Sequence, residues 1–417
     1  MSTKNQQLNR RNFLGNVSKA GLLGVFGISP LASTAKNVLQ DNQSPPLNST
    51  DNTQFLCAPY LQNPGSTHIT IFWLTNKPCY SWVEFGENAQ QLSEKAHHVT
   101  NGLVDANSTL HKIVLTDLKP NTTYYYKAVS KEIVDFQPYK LTYGETIFSE
   151  VYSFTTINPA AKETSWLILN DIHDRPNSFK DLISLNGNDP YDFVFLNGDM
   201  FDYQTGEQQL VDHLFKPTSE VFASEKPFLF VRGNHETRGK FARQIDSYFD
   251  NPNNRYYYSF TRGPVHAIVL DTGEDKEDTH PVYAGIVDFD QYREQQQAWL
   301  KRAVQTPEFK KAKYRVVMMH IPHYHSDEAH GTVHCRELFG PIFNDAKIDL
   351  FIAGHTHKFG IYQPEAGKHN YPFVIGGGPK AGNRTLIKVK ANQEQLVLTM
   401  LKDDGSEIGT VKVKGRK

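Results

Sequence analysis

The chain has 417 residues, too many for one ordinary core, so two domains plus appendages are expected. A formal net charge of -1 with no basic block argues against a nucleic-acid-binding surface. No run of about 18 apolar residues is present, so a membrane-spanning helix is not indicated. Three cysteines cannot build a disulfide scaffold; Cys57 and Cys79 can pair with each other and leave Cys335 free, but spacing does not decide it.

The first residues read as an address. "NRRNFLGNVSKAGLLGVFGISPLASTA" has a basic start, a short and moderately apolar centre, and small residues at Ser33 and Ala35. With Arg10-Arg11 followed by Phe13-Leu14 it resembles a twin-arginine export signal over residues 1–35, which implies the twin-arginine export machinery as a partner and a periplasmic or extracellular destination. The polar stretch 36–53 reads as a linker.

Residues 54–158 look all-β. "HITIFWLT", "SWVEFGE", "HKIVLTDL" and "YYYKAVS" alternate apolar and polar residues, with Pro, Gly and Asn between them. In "LKPNTTYYY", Leu118, Pro120, Thr122 and Tyr124 resemble the tyrosine corner of a fibronectin type III sandwich, which makes Trp73 and Trp82 core residues. "NPAAKET" is the expected boundary, with the second domain over 163–417.

There the pattern becomes apolar strands separated by helical segments. "SWLILND", "YDFVFLNGD", "PFLFVRGNHE", "YRVVMMHIPH" and "IDLFIAGHTH" each end in polar residues, and "QYREQQQAWLKRAVQ" has helical spacing. Interleaved apolar strands and helices imply an α/β domain with a sheet covered on both faces. The tail from Thr385 offers at least three more strands, an antiparallel completion of the same domain.

The strand ends carry Asp171, His173, Asp199, Asn234, His235, His320, His355 and His357. Carboxylate, imidazole and amide oxygen are the donors a borderline-hard cation takes, and five strands ending this way point to a metal centre. "NDIH", "NGD", "GNHE", "MH" and "GHTH", in this order, resemble the calcineurin-like metallophosphoesterases. The preceding sandwich narrows the likeness to the arrangement of purple acid phosphatases.

That resemblance implies an α/β fold of two packed mixed sheets flanked by helices. It also implies two metal ions, divalent or trivalent, as Fe, Mn or Zn. One takes Asp171, His173, Asp199 and His357; the other takes Asp199, Asn234, His320 and His355, with Asp199 bridging. The implied activity is hydrolysis of a small phosphate monoester by metal-bound hydroxide, with His235 as the acid for the leaving group. Hydrolysis of diesters or nucleotides on the same core is the alternative. A secreted binding protein with an inert metal site is the other, and the complete ligand set argues against it.

Two departures stand out. The tyrosine that purple acid phosphatases carry three positions after the bridging aspartate is Asp202 here, with Tyr203 one residue late; colour is therefore not implied. These phosphatases also usually lack the histidine found at His173. Asp202 instead matches the aspartate of serine/threonine protein phosphatases that pairs with the "GNHE" histidine, where it would raise the pKa of His235. Of the histidines after His320 (His323, His325, His330 and His334), His330 is the expected phosphate contact. Arg232 and Arg336 could also meet phosphate.

Overall fold

The computed structural model describes residues 52–417. The expected export signal, and all of the linker except residues 52 and 53, lie outside the described residues. Among the described residues no helix is long and apolar enough to cross a membrane.

The sandwich is built around one strand, Ile69–Gly86. Its first part pairs antiparallel with Ala106–Leu115 and its second with Thr123–Gln137. "HITIFWLT" and "SWVEFGE", read above as separate strands, are therefore one. The interval between them holds Pro78, which cannot donate to a ladder. The pairing with Ala106–Leu115 shifts register between Leu74 and Cys79, so the strand bends through an irregularity rather than ending. Tyr124 forms the corner, its hydroxyl accepting from the Lys119 N–H at 3.0 Å. Trp73 is fully buried and donates to Ser130 Oγ at 2.9 Å. Trp82 is not a core residue: it is only partly buried, with the Lys95 ammonium 3.9 Å above its ring. All three thiols are free and buried.

The remainder is four layers. One sheet runs Glu407–Lys414, Gln395–Lys402, Thr385–Ala391, Thr164–Leu169, Phe193–Asn197, Phe228–Val231; the other runs Tyr258–Arg262, Val265–Leu270, Tyr314–Met319, Leu350–Ala353, Phe373–Ile375, Gly360–Tyr362. Side chains alternate along each strand, so each sheet has two apolar faces. Trp166, Ile168, Phe195 and Val231 of the first interdigitate with Val269, Val316, Met318 and Ile352 of the second. The opposite faces take helices. Leu167, Leu169 and Leu196 pack beneath Asn177–Ser184, and Leu270, Met319 and Phe351 beneath Phe289–Ala303 and His330–Ala346. Burial on both faces explains why these strands read as unbroken apolar runs.

The sandwich is joined to this body through Tyr60–Gln62, which pairs antiparallel with Ile69–Gly86 and, at Gln62, parallel with Phe228. Tyr60 stacks on Phe215, centroids 4.5 Å apart. Tyr126 donates to the Ser224 carbonyl at 2.7 Å. Asp250, almost fully buried, accepts from Thr70, from Lys112 at 2.8 Å and from Asn63 at 3.2 Å. Burial opposes its charge, but Lys112 and the Thr70 hydroxyl hold its carboxyl below the ordinary range.

Asp250→Ala is expected to destabilise the chain by about 2–4 kcal/mol in urea unfolding, because three donors lose a buried acceptor; solvent around the half-exposed Lys112 holds the loss below the upper limit for a buried pair. The folded pKa of Asp250 is depressed, so its contribution is fully present above its unfolded value of about 3.9. The gap between wild type and variant should therefore close as pH falls through the lower folded value. A gap unchanged in acid would show that the carboxylate charge is not what joins the two parts.

Candidate metal centre

The expected site residues lie just beyond the C-terminal ends of parallel strands. Asp171 and His173 follow Thr164–Leu169, Asp199 follows Phe193–Asn197, and Asn234 follows Phe228–Val231; His320 follows Tyr314–Met319, and His355 and His357 follow Leu350–Ala353. Asp171, His173, Asp199, His355 and His357 all have positive φ, between 49° and 73°. Such backbone costs about 1–3 kcal/mol at each non-glycine residue and clusters at functional sites. It turns each chain sharply, so that side chains face the mouth of the sheet instead of joining a helix. Glycine allows the close approach: a Cβ on Gly354 would lie 2.5 Å from Asp171 Oδ2, and one on Gly233 would lie 2.2 Å from Asp199 Oδ1.

Two donor groups form, and they share Asp199. Asp171, His173, Asp199 and His357 offer atoms within 4.8 Å of one another, and so do Asp199, His320 and His355. Asn234 joins the second group through Oδ1, 3.0 Å from His355 Nδ1. In the first, His357 Nε2 and His173 Nε2 are 3.0 Å apart.

Each carboxylate has one oxygen held and one free. Asp171 Oδ2 accepts from the His355 N–H at 2.9 Å and from Asn170 at 2.6 Å, while its buried Oδ1 has no hydrogen-bond partner. Asp199 Oδ1 accepts from the His235 N–H at 3.0 Å; Oδ2 faces His320 Nε2 at 3.0 Å and His173 Nε2 at 3.5 Å. His320 Nδ1 donates to the Asn197 carbonyl at 2.8 Å, leaving a buried Nε2 without a hydrogen bond. Histidines oriented by an outer acceptor, with bare nitrogen and oxygen atoms converging, fit a pair of cations.

The two carboxylates draw positive charge onto the imidazoles around them. Burial works against a charged His320, but Asp199 and Asp171 raise it to about 10. Burial likewise opposes His173, and Asp171, Asp199 and Asp202 raise it to about 9. Asp199 is pushed up by burial, yet His320 brings it down to about 2.

Residues 165–359 match the model of the calcineurin-like phosphoesterase family, and residues 57–156 match the purple acid phosphatase N-terminal domain. The chain carries a calcineurin-like phosphoesterase domain behind a purple acid phosphatase N-terminal domain. Among curated relatives, "Probable purple acid phosphatase 20" of Arabidopsis thaliana is 25% identical over 344 residues, 75% of this chain and 72% of the relative. Purple acid phosphatase 21 of the same plant is 24% identical over 373 residues, 84% of this chain and 76% of the relative. The solved purple acid phosphatase of yellow lupin (Lupinus luteus) seeds shares the fold at a TM-score of 0.64 and 17% identity, over 85% of this chain and 74% of that one.

Three expectations for this metallophosphoesterase change. The Asp202 carboxylate does not pair with His235: Oδ1 lies 2.8 Å from His173 Nδ1, and it is the Asp202 backbone carbonyl that accepts from His235 Nδ1, at 2.7 Å. His235 is accordingly not raised. Burial lowers it, with Arg238 adding to the effect, and Arg238 Nη1 donates to His235 Nε2 at 2.9 Å. His330 joins neither donor group; its Nε2 meets Asp290 at 2.7 Å, because the helix His330–Ala346 lies against Phe289–Ala303 and i,i+4 spacing places His334 on the same carboxylate.

Arg232 is paired with Asp271 and Arg336 with Glu328, and His323 is buried against Tyr371. Tyr203 is exposed. Sequence reasoning missed Glu236, whose buried carboxylate accepts backbone N–H groups from Gly233, Asp199, Met200 and Phe201 and so ties two donor loops together. Its signal was the fourth letter of "GNHE". Arg238, clamped by Glu274, was missed with no signal beyond proximity in sequence.

Asp202→Ala is expected to weaken metal affinity about 10–100-fold, since it removes the acceptor that orients His173. Rates with nitrophenyl and alkyl esters should fall together at limiting metal and recover together at excess. A selective loss on the alkyl ester would return Asp202 to His235.

Proposed function

We propose that this metallophosphoesterase hydrolyses small phosphate monoesters at a dinuclear centre. Asp171, His173, Asp199 and His357 would hold one ion, and Asp199, Asn234, His320 and His355 the other. The observation that carries the reading is the sharing of Asp199, whose Oδ2 faces imidazoles of both groups. Such a pair, as Fe, Mn or Zn, polarises a phosphoryl group and lowers the pKa of bound water.

The chain's own contribution is orientation. Backbone N–H groups aim the free oxygen of each carboxylate inward, and the Asn197 carbonyl and Asp202 carboxylate fix the tautomers of His320 and His173. His235 is the candidate acid, with Nδ1 engaged and Nε2 the only atom able to carry a proton to a leaving oxygen. Arg238 occupies that nitrogen, so the guanidinium must shift, and the phosphate anion is its natural new partner. That relatives matched over most of the chain are named purple acid phosphatases supports the monoester reading.

Asp199→Asn should lower monoester hydrolysis by orders of magnitude in a protein that still unfolds cooperatively, because both metal groups lose their shared charge. A panel of monoesters, diesters and nucleotides on the metal-loaded wild type should favour the monoesters. Full activity of the variant with two bound metals would remove the centre from the reaction, and faster diester turnover would reassign the substrate.

We also propose export through the twin-arginine route to the periplasm or beyond, on the basis of Arg10-Arg11 and the segment that follows. Arg10→Lys with Arg11→Lys should hold active enzyme in the cytoplasmic fraction. Unchanged export would exclude this route.

A further inference from the structure

A second group of imidazoles lies apart from the centre. His325, in the loop after His320, has a left-handed backbone at φ 61°, and its ring stacks on Tyr362 with centroids 3.9 Å apart and planes 3° from parallel. His369 belongs to the turn between Gly360–Tyr362 and Phe373–Ile375. The two Nε2 atoms are 2.8 Å apart. Glu365 is held next to His369 by a reciprocal backbone pair, its N–H donating to the His369 carbonyl at 2.9 Å and its carbonyl accepting from the His369 N–H at 3.1 Å. Gly367, at φ 82°, makes that tight turn possible. One Glu365 oxygen and the two imidazole nitrogens lie within 4.8 Å of one another.

The tautomer of His369 follows from its other nitrogen. Nδ1 is 2.8 Å from the Tyr371 carbonyl, which can only accept, so Nδ1 carries the proton and Nε2 presents a lone pair toward His325. A backbone carbonyl behind a buried imidazole is the outer contact that orients metal-binding histidines. Burial, with His369 beside it, lowers the pKa of His325. Lys368 holds Glu365 at 2.7 Å, but both are about half exposed, and an ion pair so well solvated contributes little. The carboxylate is therefore free to turn toward an ion.

We propose that His325, His369 and Glu365 form a zinc site separate from the dinuclear centre, with a fourth position open to water. Two imidazoles and one carboxylate are a donor set that zinc takes in tetrahedral geometry. The ion would fasten the loop that follows His320 to the turn that follows "GHTH", bracing the two segments that supply His320, His355 and His357.

The test is a difference in zinc content between chains with identical catalytic ligands, so it does not depend on what the centre holds. Chelator-stripped full-length protein is loaded with zinc, freed of excess by gel filtration and measured by plasma mass spectrometry. His325→Ala should hold one zinc fewer per chain than wild type and keep monoester hydrolysis once the centre is loaded. It should also lose part of the zinc-dependent rise in Tm. Glu365→Gln, at an exposed position, should bind its weakest zinc about tenfold or more less tightly. Equal zinc content in wild type and His325→Ala would overturn the proposal and leave a His325–His369 hydrogen bond. So would a weakest site that Glu365→Gln leaves unchanged.

Discussion

Two carboxylates buried side by side govern this molecule. Asp171 and Asp199 each keep one oxygen on backbone N–H groups and direct the other into the same small volume. Two such anions removed from water cost far more than a folded domain can spare unless positive charge lies between them. Protons on His173 and His320 can supply that charge, and so can metal ions. Metal and proton therefore compete for one set of atoms, and metal affinity must rise with pH as the imidazoles lose their protons.

The same demand explains the strain around the centre. Five donors sit in left-handed backbone, which Asp and His adopt more readily than most residues but still at a cost. The cost is borne by strands with both faces packed, where moving a strand end would open the layers of the core. Glu236 adds a local brace by collecting four backbone N–H groups from two donor loops. Burial and nearby Asp199 raise that carboxyl to about 7, and the Gly233 and Asp199 N–H groups work against the rise.

The sandwich has no part in the donor set, yet it is not a loosely tethered module. Gln62 pairs with Phe228, which begins the strand that delivers Asn234, and Asp250 gathers three donors from the sandwich side. Tyr60 stacks on Phe215 beneath the same sheet. The N-terminal domain thus supports the sheet edge opposite the antiparallel tail strands, and the catalytic body is braced at both sides.

Local pattern alone determined much of this. Apolar runs identified the five donor strands, the polar residues ending them named every member of the two donor groups, and "LKPNTTYYY" specified the tyrosine corner. These are legible because strand burial and turn chemistry act over a few neighbouring residues. Tertiary structure decided the rest. Asp202 turned out to orient His173 and not His235, because a loop side chain is aimed by backbone angles that no pattern encodes. His330 found Asp290 across a helix pair, Trp82 faced outward on a strand that bends at Pro78, and His325 met His369 from 44 residues away. Each of those outcomes is set by which distant surfaces come together, and packing makes that choice only once the whole chain has folded.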